Sequence, residues 1–251
     1  VFYKCRSKMS DYLEITEIRD RALQGVTKPF KCLAADESEY FVKGKSLGIQ
    51  DSIKEWLGGY LAKSLGLPVP DFHAVTISYE LLKSYGGEAL TELGTGPAFA
   101  SKTVPTATEF RHDLIQHVPD DLQSDLLIFD AWIRNEDRTL THLGGNPNLL
   151  WASNKLHVID HNNALDDTFD PASFLQLHVF CNRMPEVLND LVVRQDYQDK
   201  LQSALETSWE EAWRTMPQEW EEQNQDENWI DPNQLFDQLL SDAQGAIWER
   251  L

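Results

Sequence analysis

The sequence is poor in the features that mark most specialised chain types. It has three cysteines, Cys5, Cys32 and Cys181, too widely spaced for a zinc site or a disulfide framework, so a reducing compartment, the cytoplasm, is expected. No apolar run reaches the roughly 18 residues needed to cross a bilayer as a helix, so no membrane span is expected. The opening VFYKCRSK is basic but no apolar core follows it, which argues against a secretory signal. Met9 has the look of a natural start, and the residues before it are expected to be tag or upstream translation. Basic residues are scarce: 22 Lys and Arg stand against 41 Asp and Glu, a formal charge of −19. Non-specific nucleic-acid binding draws on phosphate counterions released by a basic surface, so this balance, without any reader motif, disfavours it. There is no internal repeat and no low-complexity tract.

What is present is core-forming material. Apolar residues make up 41% and aromatic residues 10% of 251 positions, enough for one large domain or two lobes. Tyr12–Ile18 alternates and is β-branched, which predicts a strand. Pro29–Ala34 and Glu39–Lys43 predict a hairpin around AADES, giving a small antiparallel sheet. The loop before that hairpin carries Gly25, Thr27 and Lys28, groups able to approach phosphate, although it matches neither the Walker nor the GxGxxG pattern and an ordinary turn explains it as well. Apolar periodicity predicts a helix over Ser52–Leu65, stopped by Gly66 and Pro68. Glu55 on that helix is placed to reach Lys43 on the preceding strand; two solvated surface residues are the alternative.

Phe72–Ser78 reads as a further strand, and Leu81–Leu93 fits no single pattern. GTGPAFASKTVPTAT is either a crossing between lobes or a short strand flanked by loops, so a boundary is expected near 102, with a strand-rich lobe over 1–102 and a mainly helical lobe over 103–251. A helix starting at Pro119-Asp120 delivers its end into Asn135-Glu136-Asp137-Arg138. A hairpin around ASNK follows, with Asn146 and Asn148 before its first strand and Asp160 after its second. Polar groups at the ends of short, well-packed strands are held in place by the core. His142 and His161 match no zinc spacing and are expected to be polar loop histidines. Tyr197, Leu201, Leu205, Trp209 and Trp213 recur every four residues and are expected to be core. Residues 206–251 hold twelve carboxylates and two arginines but also five tryptophans, which predicts an acidic segment folded against the body. Asp231 and Pro232 predict the N-terminus of a last helix.

Phosphoryl transfer needs a carboxylate near the nucleophile, oxygen ligands for Mg²⁺ and a cation against the phosphates. Asp137 suits the first role, Asp160 with Asn146 or Asn148 the second, and Lys43 the third. With YFVKG, EWLGGYLAKSLGLPVP, FDAWIRNEDR, NPNLLW and LHVIDH in that order, the sequence resembles the HipA-like family of kinases and, more distantly, the phosphatidylinositol 3- and 4-kinases. The resemblance implies a two-lobed, α+β, protein-kinase-like fold that binds Mg-ATP in the cleft between its lobes and phosphorylates a protein Ser or Thr. It implies that Lys43 contacts ATP phosphates, Glu55 positions Lys43, and the Gly25–Lys28 loop lies over the phosphates. Asp137 would be the catalytic aspartate, Asn146 or Asn148 a metal ligand, and Asp160 the metal-binding aspartate. Two departures stand out. Eight residues, RTLTHLGG, separate Asp137 from Asn146 where the family has four, and Asn162 stands where glycine is common. Displacement of both asparagines by the insertion would favour a pseudokinase or scaffold that binds a protein partner. A closed polar acceptor pocket would favour a small-molecule or lipid-headgroup kinase.

Overall fold

The computed structural model describes residues 12–22, 28–166, 168–227 and 229–251. The chain is an α+β protein with a strand-rich N-terminal lobe and a mostly helical C-terminal lobe. Strands β1 (Leu13–Arg21), β2 (Phe30–Ala34) and β3 (Glu39–Lys43) precede helix α1 (Ile49–Ser64). After it come β4 (Phe72–Ile77), the short helices α2 (Tyr79–Tyr85) and α3 (Ala89–Glu92), and β5 (Ala98–Lys102). The five strands close into a barrel in the order β1-β2-β3-β5-β4.

The sequence pattern suggested an antiparallel sheet, but the closing pair, β1 with β4, is parallel, so the sheet is mixed. Closure also decides between the two readings of Ala98–Ala100: it is a strand, paired on both sides by β3 and β4. Strand β1 departs from simple alternation. Register shifts between Ile15 and Glu17 and between Ile18 and Asp20 turn Ile15 and Ile18 inward at a spacing of three. Bulges of this kind bend a strand and raise its twist, as a small closed barrel demands. Strands β2 and β3 keep strict alternation, burying Phe30, Cys32 and Ala34 against Tyr40 and Val42. Burial pushes the Cys32 thiol up to about 12, which leaves it unreactive.

The mostly helical part begins with β6 (Thr108–Glu109) and α4 (Asp120–Trp132). The hairpin β7 (Leu149–Ala152) and β8 (Lys155–Val158) turns through Ser153 and Asn154, both at positive φ, the conformation of a tight two-residue turn. Among the described residues six α-helices follow: α5 (Pro171–Leu177), α6 (Met184–Asn189), α7 (Leu191–Thr215), α8 (Gln218–Glu227), α9 (Pro232–Ser241) and α10 (Ile247–Arg250). Asp231 caps α9 by accepting from the N–H groups of Asn233 and Gln234, with Pro232 at the first helical position. Among the described residues no helix is long and apolar enough to cross a membrane.

The chain forms two compact units, and each draws on three segments. One takes its described residues from Val1–Trp56, Pro70–Val104 and Ala212–Ile230; the other from Leu57–Val69, Pro105–Glu211 and Asp231–Leu251. A single boundary at 102 therefore does not describe the division, which falls inside α1 and inside α7. The reason lies in the tryptophans. Trp56 donates to the Ala212 carbonyl at 2.8 Å and meets Trp220 edge to face, while Trp220 donates to the Pro97 carbonyl. Burying two indoles with their N–H groups satisfied anchors the acidic helix α8 within the first unit. Trp213 and Trp248 are buried, whereas Trp229 stays exposed.

Candidate active site

In the first unit, Lys43 ends β3 and Glu55 sits on α1. Lys43 Nζ and the Glu55 carboxylate lie 3.4 Å apart, with side chains 10% and 3% exposed. Burial to this degree means that the lysine is held by the core and not by chance on a surface. Lys28 is exposed, at φ 39°, and its carbonyl accepts from Arg21 Nε at 3.4 Å. Gly25 and Thr27 lie outside the described residues.

In the second unit, everything gathers at the end of α4 and the open end of the β7–β8 hairpin. One oxygen of Asp137, Oδ2, accepts from three asparagine amides: Asn146 at 2.9 Å, Asn148 at 2.8 Å and Asn163 at 3.0 Å. Each amide nitrogen spent on Asp137 leaves that asparagine's Oδ1 for another partner. The Asn148 carbonyl accepts from the Ile159 N–H at 3.1 Å, so Asn148 and Asp160 stand at the same end of the hairpin. Both have positive φ, 47° and 63°. The positive φ falls on Asp160 and not on Asn162, so the asparagine that replaces a common glycine meets no backbone strain.

The RTLTHLGG insertion closes on itself. The Thr139 N–H donates to the Asn146 carbonyl at 3.0 Å, the Asn146 N–H donates to Thr139 Oγ1 at 3.2 Å, and Thr141 and Gly144 exchange both backbone bonds. Gly145 permits this pinch, because a Cβ there would sit 2.4 Å from the Thr139 carbonyl oxygen. The extra length bulges outward to Leu143, which is 88% exposed, while Asn146 stays on Asp137.

Beneath this cluster lies a network that sequence reasoning had not assigned. Asp130 is completely buried in α4 and accepts from Asn135 Nδ2 at 2.9 Å, Arg138 Nε at 2.6 Å and His178 Nε2 at 3.0 Å. Arg138 Nη1 reaches the carbonyls of Pro147, Asn148 and Ile159 at 3.3, 2.6 and 3.2 Å. The Phe180 N–H donates to His178 Nδ1, so the ring proton sits on Nε2 and points at Asp130. Burial opposes the ionised form of Asp130, but the Arg138 guanidinium and the His178 hydrogen bond outweigh it and hold the carboxyl below the usual carboxylate range. Burial likewise lowers the His178 pKa, against the pull of Asp130, which keeps the imidazole neutral. One signal of this network was available in the sequence: a carboxylate inside the apolar run LLIFDAWI is costly to bury unless paired. His161 is no polar loop residue; it is 2% exposed, edge to face with Phe129 and pressed on Gly58 of α1. Among the described residues no three His, Cys, Asp or Glu side chains form a metal cluster.

A family model described as HipA-like kinase matches residues 15–251 of the chain. No curated protein sequence matches it. Among solved structures, the chain is similar to the Helicobacter pylori proinflammatory kinase CtkA, with 12% identity, a TM-score of 0.46 and coverage of 94% of both chains.

Proposed function

The chain belongs to the HipA-like kinase family, and from that premise we propose that it is an ATP-dependent phosphotransferase that moves the γ-phosphate of Mg-ATP to a Ser or Thr hydroxyl of a protein. The observation that carries this reading is the convergence of Asn146, Asn148 and Asn163 on a single oxygen of Asp137. With Oδ2 saturated, Oδ1 is the atom of Asp137 left to accept the acceptor's O–H. A carboxylate fixed by three donors points that oxygen in one direction, and orientation supplies much of catalysis in phosphoryl transfer.

The oxygen donors of Asp160 and of Asn146 or Asn148 suit a hard cation such as Mg²⁺, which prefers carboxylate and carbonyl oxygen to imidazole or thiolate. Bound there, Mg²⁺ would supply charge against the phosphate oxygens. Lys43, held by Glu55, would contact the nucleotide phosphates, and the strand-rich lobe would be the nucleotide-binding one, with the Gly25–Lys28 loop over the phosphates. The pinched base of the 139–146 loop supports an active centre over a silent relative, since it keeps Asn146 on Asp137.

Two measurements test this. Calorimetric titration with ATP and Mg²⁺ should show binding, and its absence would remove the enzymatic reading altogether. Radiolabelled γ-phosphate should pass to a generic Ser/Thr protein acceptor, and Asp137→Ala should abolish the transfer. Unchanged transfer in that variant would rule out the role given to Asp137, and label found only on small alcohols or lipid headgroups would redirect the acceptor assignment.

A further inference from the structure

Two features of the Asp137 cluster need a cause that the cluster itself does not contain. Asn148 and Asp160 both sit in the left-handed region, which Asn and Asp tolerate best among side-chain-bearing residues but which here has to be held at both open ends of one hairpin at once. In addition, Asp130 and Arg138 are a charged pair with no exposure, and Arg138 Nη2 has no hydrogen-bond partner among the described residues. Stability alone is a weak reason to keep such a pair, because apolar residues of similar volume often serve as well or better.

We propose that Asp130 is a positioning residue that sets the Asp137 cluster through two arms. This rests on the phosphotransferase reading for its consequence, though not for its geometry. The first arm runs through Asn135: its Nδ2 donates to Asp130, and its Oδ1 accepts the Asp137 N–H at 3.3 Å. The second runs through Arg138, whose Nε is fixed on Asp130 while Nη1 gathers the carbonyls of Pro147, Asn148 and Ile159. Those carbonyls belong to the peptides that lead out of Asn148 and into Asn148 and Asp160. One buried carboxylate thereby fixes the backbone of Asp137 and both open ends of the hairpin. His178 completes it on Oδ2, the oxygen that Arg138 also bonds, and the Val179 N–H on the Arg138 carbonyl at 3.0 Å fixes the base of the arginine. Asp130, Asn135 and Arg138 are all fully buried, so each acts through the residues it holds. A lysine at 138 cannot reproduce the second arm, because a single nitrogen cannot bond Asp130 through one edge and three carbonyls through another.

The test uses the full chain with asparagine side chains labelled with ¹⁵N. In the wild type the Nδ2 resonances of Asn146, Asn148 and Asn163 should be displaced by the shared carboxylate. Arg138→Lys should move the Asn146 and Asn148 resonances toward ordinary amide positions while the helical circular dichroism is retained. It should lower kcat by about 10–100-fold, the scale of a misplacement near 1 Å. Resonances and kcat like the wild type, with only the melting temperature reduced, would overturn the proposal and leave the pair as a stability element. Should Arg138→Lys not fold, Asn135→Ala keeps both buried charges paired and cuts the first arm alone. It should displace the Asn163 resonance, and an unchanged spectrum would equally overturn the proposal. A wild type that transfers no phosphate would sink the kinase reading, while the amide spectra would still decide whether Asp130 positions Asp137.

Discussion

Replacing Gly58 by alanine sets two effects of opposite sign against each other. Gly58 lies inside α1, where alanine is favoured over glycine by about 1 kcal/mol. A Cβ at this position, however, would stand 2.6 Å from the Cβ of His161 and 3.1 Å from its Cγ. Carbon atoms settle at about 3.5–4.0 Å, so roughly 1 Å of separation has to be found. The obstructing atom is itself a Cβ, so no rotamer change of His161 removes the clash and its backbone must move. Overpacking of this kind costs about 1–3 kcal/mol, which leaves a net loss of up to about 2 kcal/mol after the gain in helix propensity. For a chain of this size that corresponds to a melting temperature lowered by up to roughly 8 °C. Because His161 follows Asp160, phosphate transfer should fall by more than the stability change accounts for. Thermal melts followed by circular dichroism, alongside Gly96→Ala as a control with open space around it, make the measurement. A Gly58→Ala protein that melts above the wild type would refute the close approach, and with it the account of how α1 fixes the residue after Asp160.

Acid should destabilise the protein in two stages. Folded His178 binds a proton less readily than a free imidazole of pKa 6.5, and folded Asp130 less readily than an ordinary carboxyl of 3.8. The unfolded chain therefore takes up more protons below each value, so both contributions are complete above pH 6.5. The first is lost as the pH falls from 6.5 through the lowered pKa of His178, the second as it falls from 3.8 through that of Asp130. Melting temperatures between pH 7.5 and 4.5 should decline in the wild type and decline less in His178→Gln; a wild-type profile that rises on acidification would contradict the assigned proton. Gly145→Ala should open the pinch at the base of the 139–146 loop and draw Asn146 from Asp137, lowering Mg²⁺-dependent turnover by about 10–100-fold, as lost supporting contacts at metal sites do. Turnover equal to the wild type would show that the insertion does not hold Asn146 in place.

Much of the fold was readable in the sequence because the local signals were strong. Short apolar runs on either side of AADES marked β2 and β3, Gly66 and Pro68 ended α1, and Asp231 with Pro232 opened α9. Where signals were weak, closure of the barrel decided. The bulges of β1 and the strand at Ala98–Lys102 follow from the need to satisfy every edge of a small closed sheet, a requirement spread over five segments distant in sequence. The same holds for α8, whose acidic composition hides that Trp220 assigns it to the first unit.

The residues proposed for chemistry were legible individually, since carboxylates and amides at strand ends and a lysine facing a helical glutamate are residue-type patterns with fixed local spacing. Their support was not. Asp130, Arg138 and His178 are separated by up to 48 positions and meet only because α4, the hairpin and the segment after α5 fold onto one another. Asn163 likewise gives no signal of its own until the chain returns it to Asp137. By itself the sequence determined the chemical groups, the helices that carry them and the family to which they point. Only the tertiary structure decided that the RTLTHLGG insertion turns outward, because that outcome depends on the fit of Gly145 against the Thr139 carbonyl, a contact that no periodicity or composition encodes.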